Sequence, residues 1–460
     1  MSGRKVSTKP PSGMRDFLPE DIARREYVTG IIRGVYERYG FVPLETPAVE
    51  NLAILLGKYG EDEKLIYRLL HRGEVLTRVL ERDGITPADL ADQALRYDLT
   101  VPLARVVAQY GALPRYFKRY QIQPVWRADR PGKGRFREFY QCDVDILGTT
   151  SLLAEAEVMS AVAEALSALG FADYEIRVGH RALLRAVIRT AGIDEAREAT
   201  ALQAVDKFDK IGRDGVLAEL TARGIEKGAA ARLLDLIAAP EGAGAEDDAR
   251  ARLLAAVEDP AGRGALDELA RLAELLEATP VAGRHRFDPR LARGLGYYTG
   301  AIFEVKIPGY AFSFAGGGRY DGLVGMFGKK QVPAVGCSIG LERILVVMDE
   351  RGMYPDLRKG PDVYLCWMDV APDQALARAH ELRALGLRVE VHPEPTKLGK
   401  QLQYASSPAV AAPFAAILGA DELAAGRLTL KDLTTGQQER LTPAEVAARV
   451  APAGRPDGAR

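Results

Sequence analysis

The chain has 460 residues, of which 47% are hydrophobic and 27% charged, with a formal net charge of -1. That length suits two to three domains, each able to bury its own core, and excludes a single small module. The balanced charge excludes a global basic field, so any nucleic acid must be met by local patches, and no apolar run approaches the roughly 18 residues needed to span a bilayer. Three cysteines, Cys142, Cys337 and Cys366, lie too far apart for a ligand motif and are too few for a disulfide framework, which fits a reducing, cytoplasmic setting.

Residues 1–12 are basic and rich in Ser, Thr and Pro, without a signal-peptide pattern, and are expected to be a disordered tail. A helix is predicted from about Asp21 to Tyr39, with Val28, Ile32, Val35 and Tyr39 as its apolar stripe and Gly40 as its stop. Phe41 to Glu50 reads as extended, and Pro43 and Pro47 favour an edge or interface. Asp62 to Tyr67 and Leu95 to Thr100 look like a strand pair around a helical excursion from Thr77 to Gln93. Val101 to Tyr110 reads as a helix with Pro102 in its first turn.

Tyr120 to Gly148 reads as a hairpin. Its first strand ends near Trp126 and Arg127, Pro131-Gly132-Lys133-Gly134 makes the turn, and an alternating strand runs from Phe136 to Leu147. Tyr140, Cys142, Val144 and Ile146 share a face that suits a core. Phe139, Gln141, Asp143 and Asp145 share the other, with Arg137 beside them. If that face is concave, a ring, an amide and two carboxylates opposite an arginine make a site for a small polar cation beside an anion.

Helices are predicted at Leu152 to Leu169 and His180 to Ala191, flanking a strand at Tyr174 to Val178. A helical block broken by Gly and Pro extends to about Arg284, with a loop at Glu241 to Asp248. Strands return at Gly296 to Val305 and Tyr310 to Ala315. The run Gly316-Gly317-Gly318 reads as a tight turn or as a floor for a ligand, and lacks the Gly-Lys-Ser/Thr ending of a phosphate loop. A strand runs into a helix at Val335 to Met348. Beyond a linker at 358–361, strands at Val363 to Cys366, Leu387 to Val391 and Phe414 to Leu418 alternate with helices at Pro372 to Leu385 and Lys400 to Ser406. That grammar implies a small α/β domain with a mainly parallel sheet, closed by a disordered tail at 451–460. The five histidines have no ligand spacing, so no structural metal is expected.

Four segments carry chemistry: the hairpin, Arg96 to Pro102, Leu291 to Gly300, and Gly336 to Arg343. In this order the chain resembles the histidyl-tRNA synthetases, a class II aminoacyl-tRNA synthetase family, from Gly13 to about Val450. Gly40 to Glu50 resembles the first class motif, which builds a dimer interface; Val125 to Gly148 resembles the second and Gly336 to Ile344 the third. Arg293 to Gly300 resembles the signature specific to histidine enzymes. The resemblance implies an α+β fold: an antiparallel class II sheet flanked by helices over residues 13–355, a tRNA-contacting helical insertion at about 195–284, and a C-terminal α/β anticodon-binding domain over 361–450.

Carried over residue by residue, the resemblance implies that Asp98, Thr100 and Gln141, with Leu99 between the first two, hold the α-amino group of L-histidine. Asp145 and Tyr298 would read the imidazole, with Tyr297 alongside. Arg127 would clamp the α-phosphate and the histidine carboxylate. Phe139 and Arg343 would sandwich the adenine of ATP, Asp129 and Arg135 would lie on the ATP side, and Arg293 would stabilise charge on the α-phosphate. Mg²⁺ would accompany ATP, and the partners would be tRNA(His) and a second copy in a homodimer. Lys397, Lys400, Gln401 and Gln403 are candidates for the anticodon. Gly296 stands where the family usually has Asp. A synthetase-like regulatory subunit of histidine biosynthesis, which binds histidine without charging tRNA, is the alternative. Such proteins usually lack the C-terminal domain and the arginine at position 293, and both are present here.

Overall fold

The Tyr120–Gly148 hairpin supplies the second and third strands of an eight-stranded sheet in this computed structural model, which describes residues 7–238, 245–292, 296–328, 330–357 and 360–450. In chain order the strands are β1 (Val42–Pro43), β2 (Phe117–Trp126), β3 (Glu138–Leu147), β4 (Glu175–His180), β5 (His285–Phe287), β6 (Ala301–Lys306), β7 (Ala315–Arg319) and β8 (Ala334–Gly340). Their spatial order is β1-β2-β3-β8-β7-β6-β4-β5. The six inner strands are antiparallel, while the short edge strands β1 and β5 run parallel to their neighbours. This is the α+β class II arrangement that the resemblance implies.

The alternation along β3 sets the two faces of the sheet. Cys142, Val144 and Ile146 are buried with Val28, Ile32 and Val35 of helix α1 (Pro19–Arg38), and Tyr140 packs against them half-buried. Helix α2 (Thr100–Gln109) starts at the carboxylate of Asp98, which accepts from the Val101 amide at 3.0 Å. Helix α3 (Leu153–Ala168) adds Met159, Val162 and Leu166 to the same core. Between β4 and β5 the chain is helical: α4 (Arg181–Thr190), α5 (Glu195–Val205), α6 (Phe208–Ala222), α7 (Lys227–Leu236), α8 (Ala245–Ala256) and α9 (Pro260–Leu276). Helix α10 (Leu341–Arg351) follows β8 directly.

Several expected elements move. Gly60–Leu65 is a 3-10 helix, and the pairing is Arg68–Leu69 with Gln93–Leu95, because Asp98 and Thr100 are taken up by the start of α2. The excursion is a helix at Gly73–Leu80. Beyond it Thr86 closes a turn, donating to Asp89 from its amide at 2.9 Å and its hydroxyl at 2.6 Å. Of the expected loop at 241–248, residues 241–244 lie outside the described residues. Glu246, Asp247 and Asp248 form the first turn of α8, where acidic side chains meet the helix dipole favourably.

The strand expected to start at Gly296 starts at Ala301, and the one expected at Tyr310 to Ala315 starts where that range ends. The glycine run is strand β7 and not a turn. A Cβ at Gly317 would sit 1.9 Å from the Gly336 carbonyl oxygen, and one at Gly318 would sit 2.6 Å from that of Ala301, so glycine is what lets these strands close up.

Contacts divide the chain into two compact units, one of Met1–Phe17 with Arg24–Tyr354 and one of Leu18–Ala23 with Pro355–Arg460. The second unit carries β9 (Val363–Trp367), β10 (Val389–Val391), β11 (Phe414–Leu418), β12 (Leu428–Asp432) and β13 (Gln438–Leu441) in the order β10-β9-β11-β12-β13. β10, β9 and β11 are parallel, as the sequence grammar implies. β12 and β13 are antiparallel additions that it did not reveal.

Candidate active site

The polar face of β3 does line a cavity, of about 640 Å³, walled by Phe139, Gln141, Asp143 and Asp145 together with Tyr97, Asp98, Thr100 and Arg127. Asp98 is 1% exposed. Its Oδ1 accepts from the Val101 amide and the Tyr59 hydroxyl, each at 3.0 Å, and its Oδ2 accepts from the Tyr297 hydroxyl at 3.3 Å. Burial raises its carboxyl above the ordinary value, opposed by those donors and by the charge of Arg127. Arg127 donates from Nε to the Tyr97 carbonyl at 3.0 Å and lies between two rings, 4.3 Å from the centre of Tyr97 and 5.1 Å from that of Phe139. Its planar cation is thereby fixed with its remaining donors available at the cavity wall.

Beneath the cavity floor lies a buried cationic centre. Arg119 of β2 is 0% exposed, directly opposite Asp145 in the hairpin register. Its Nη2 is 2.8 Å from Asp145 Oδ2 and 3.8 Å from Asp143 Oδ2, and its Nη1 donates to Gln121 Oε1 at 3.0 Å. Asp145 Oδ1 accepts from the Tyr320 hydroxyl at 2.5 Å. A Cβ at Gly336 would sit 1.8 Å from that same oxygen, so the glycine opposite Asp145 makes room for the carboxylate. Burial pushes both carboxyls up, with Arg119 pulling them back. Gln141 donates from Nε2 to Ser338 Oγ at 2.8 Å, and its Oε1 is buried without a hydrogen-bond partner.

The far end of the cavity is basic. Arg135 pairs with Asp129 through two bonds, Nε to Oδ2 at 3.0 Å and Nη2 to Oδ1 at 2.8 Å. Arg343, in the first turn of α10, donates to the Ser313 carbonyl at 2.5 Å and lies 5.5 Å from the centre of the Phe312 ring. Phe139, Phe312, Lys133 and Gly134 line the same end. Planar cations and rings in a glycine-walled slot suit a purine with attached phosphates.

Of the residues expected at the site, Asp98, Thr100, Arg127, Asp129, Arg135, Phe139, Gln141, Asp145, Tyr297, Tyr298 and Arg343 all border this one cavity. Leu99 does not; it is fully buried and offers its carbonyl to Arg119 at 3.4 Å. Arg293 lies outside the described residues. The hydroxyl on Asp145 belongs to Tyr320, whereas Tyr298 stacks at 5.0 Å on Tyr297. Arg119, Tyr320 and Ser338 were not foreseen. Arg119 was within reach of the sequence, since hairpin pairing sets it across from Asp145, but Ser338 lies on β8 and Tyr320 just past the end of β7, strands whose register no local signal fixed. In the C-terminal unit, Gln401 is withdrawn from the anticodon candidates. It is 0% exposed, accepts from the Trp367 amide at 3.0 Å and donates to the Trp367 carbonyl at 2.8 Å.

Comparison with known proteins agrees with this geometry. Residues 13–344 match the family model described as histidyl-tRNA synthetase, and residues 363–451 match one described as anticodon binding domain. The histidine–tRNA ligase of Gloeobacter violaceus is 43% identical over 455 residues, covering 93% of this chain and 95% of the relative. That of Leifsonia xyli subsp. xyli is 44% identical over 436 residues, covering 92% and 98%. The crystal structure of histidyl-tRNA synthetase from Nostoc sp. PCC 7120 superposes with a TM-score of 0.76 at 31% identity, covering 97% of this chain and 99% of that one. With a family model matched over most of its length and relatives matched end to end, the chain belongs to the histidyl-tRNA synthetase family.

Proposed function

We propose that this chain is a histidine–tRNA ligase, which activates L-histidine with ATP and transfers it to the 3' end of tRNA(His). One observation carries the reading: Asp98, Gln141 and Asp145, acceptors for a cationic amine and an imidazole, share a single cavity with Arg127 and Arg343. In this reading Asp98, Thr100 and Gln141 receive the α-ammonium group, and Leu99 backs them from the core. Asp145 and Tyr298 address the two imidazole nitrogens, with Tyr297 alongside and Tyr320 holding Asp145 in place. A site of paired polar groups rejects apolar analogues by roughly 10⁴ or more, because its own groups would be left unsatisfied.

Arg127 spans the histidine carboxylate and the α-phosphate. Phe139 and Arg343 take the adenine, Asp129 and Arg135 lie beside the triphosphate, and Arg293 is assigned to the charge that builds on the α-phosphate. A carboxylate oxygen of histidine attacks the α-phosphorus, the bond to the bridging oxygen breaks, and pyrophosphate leaves without net proton transfer. A terminal ribose hydroxyl of tRNA then attacks the activated carbonyl, releasing AMP and a proton. Positioning and charge-assisted contacts of about 1.5–3 kcal/mol each supply the rate. Asp129 and Glu342 line this end, paired with Arg135 and Arg25, and are the carboxylates that would face Mg²⁺ arriving with ATP; the ion would supply charge neutralisation to the departing pyrophosphate.

Residues 13–355 form the catalytic part, with the helical insertion at about 195–284 facing tRNA, and residues 361–450 read the anticodon, in a cytoplasmic homodimer built on the first motif. ATP–pyrophosphate exchange with each of the twenty amino acids, tRNA omitted, tests the first step. Exchange with histidine alone is expected. Histidine binding without exchange would replace this reading with the regulatory-subunit one.

A further inference from the structure

The amide of Gln141 is held by two neighbours on the same sheet face, Ser338 and Asp143. Ser338 of β8 lies directly opposite Asp143 of β3, on the cavity side of the sheet. Gln141 Nε2 donates to Ser338 Oγ at 2.8 Å and, more weakly, towards Asp143 Oδ1 at 3.4 Å. Asp143 sits across from Ser338 in the strand register, and Arg119 faces its carboxylate from below at 3.8 Å. Asp143 is 2% exposed, so nothing in solvent competes for this arrangement.

A primary amide has one accepting oxygen and one donating nitrogen. Where Asp143 is ionised, a flipped Gln141 would set its carbonyl oxygen against a carboxylate, acceptor against acceptor. The unflipped amide spends both its donors on β3 and β8. That leaves Oε1 as the free atom, buried and without a partner, at a cavity wall. We infer that Ser338, backed by Asp143, is a positioning residue that holds the Gln141 carbonyl towards the cavity, where it selects a ligand bearing an ammonium group. The inference rests on the reading of this cavity as the histidine site, and adds to it the device that sets the polarity of one wall.

The test compares histidine with imidazolepropionate, which keeps the imidazole and the carboxylate but lacks the α-ammonium. Binding of each to wild type, Ser338→Ala, Ser338→Thr and Asp143→Asn is read by titration calorimetry, with histidine-dependent exchange run alongside. Ser338→Ala is expected to weaken histidine about tenfold while moving imidazolepropionate less than twofold. Ser338→Thr, which keeps the hydroxyl, should restore histidine binding. Asp143→Asn should lose the same preference, since an amide at 143 can donate to a flipped Gln141. Equal losses for both ligands, or no loss for either, would overturn the inference. A wild type that binds histidine but does not exchange it would sink the ligase reading, while the ratio of the two ligands still decides the role of Ser338.

Discussion

Among the arginines that the larger unit buries against carboxylates, Arg319 and Arg119 do so in contrasting ways. Arg319 meets Glu155 edge to edge, Nε to Oε1 at 2.5 Å and Nη2 to Oε2 at 2.7 Å, and its Nη1 donates to the Thr149 carbonyl at 3.0 Å and to Asp321 at 3.1 Å. One cation answers one buried anion, and the pair is closed. Arg119 faces two carboxylates at unequal distances, 2.8 Å from Asp145 and 3.8 Å from Asp143, while Gln141 Oε1 at the cavity wall has no hydrogen-bond partner. Buried polar atoms are normally satisfied, so an unanswered acceptor at a cavity wall is a place where a ligand's donor is owed. The first arrangement holds strands to a helix. The second holds a surplus of acceptors ready for a cationic substrate.

The contrast can be broken at either end. Asp145→Ala is expected to have the largest effect, lowering histidine-dependent exchange by about 10³-fold or more in kcat/KM, because an imidazole donor would then be buried unpaired. A loss under tenfold would move imidazole recognition elsewhere. Glu155→Ala should act on stability, costing about 3 kcal/mol in urea unfolding by leaving the buried Arg319 with only the more exposed Asp321 as a counter-charge. Its histidine KM should stay within a few-fold of wild type. A large KM change with little loss of stability would erase the distinction between the closed and the open pair.

Asp143→Asn probes the open cluster through pH. Burial, with the charge of Asp145 adding to it and that of Arg119 opposing it, raises the Asp143 carboxyl from its ordinary 3.8 to about 7. Between those values the folded protein holds a proton that the unfolded chain releases, so this group's contribution to stability is present at low pH and falls as pH rises towards neutrality. The variant lacks that slope. Melting curves from pH 4 to pH 8 should therefore show wild type losing ground to Asp143→Asn as pH increases; parallel curves would show that Asp143 is already ionised at the bottom of the range.

The same contrast explains what was legible. Period-two alternation placed Phe139, Gln141, Asp143 and Asp145 on one face, because a strand sends successive side chains to opposite sides whatever its partners. Asp98 and Arg127 came from the family resemblance and took their places around the same cavity. Tyr320 and Ser338 depend on how β7 and β8 register against distant strands, which no local pattern encodes. The segment from Asp62 to Tyr67 reads as a strand, but Gly60–Leu65 is a 3-10 helix, the pairing begins at Arg68, and Asp98 starts a helix where the partner strand is expected to continue. Propensity yielded to tertiary context at that point. The glycine run Gly316 to Gly318 carried two readings, and only the closeness of β8 and β6 chooses between them.

Gly296 offers the smallest effect and the finest test of how the loop beside the site is held. It directly precedes Tyr297, whose hydroxyl reaches Asp98, and it follows the segment that carries Arg293. A Cβ at this position meets nothing within 4 Å, and its φ is not among the positive ones, so a side chain enters without clash or backbone strain. Gly296→Asp should therefore be tolerated, stabilising by about 0.4–1 kcal/mol through the reduced freedom of the unfolded chain. We hypothesise that the family's Asp braces this loop. One added hydrogen bond of about 0.5–1.5 kcal/mol, if it acts in the transition state, raises histidine activation roughly two- to tenfold. A gain in kcat with an unchanged histidine KM would place the brace on the Arg293 side of the loop. A lower KM with unchanged kcat would place it on the Tyr297 side, and unchanged or reduced activation would show that the loop beside the open cluster needs no brace.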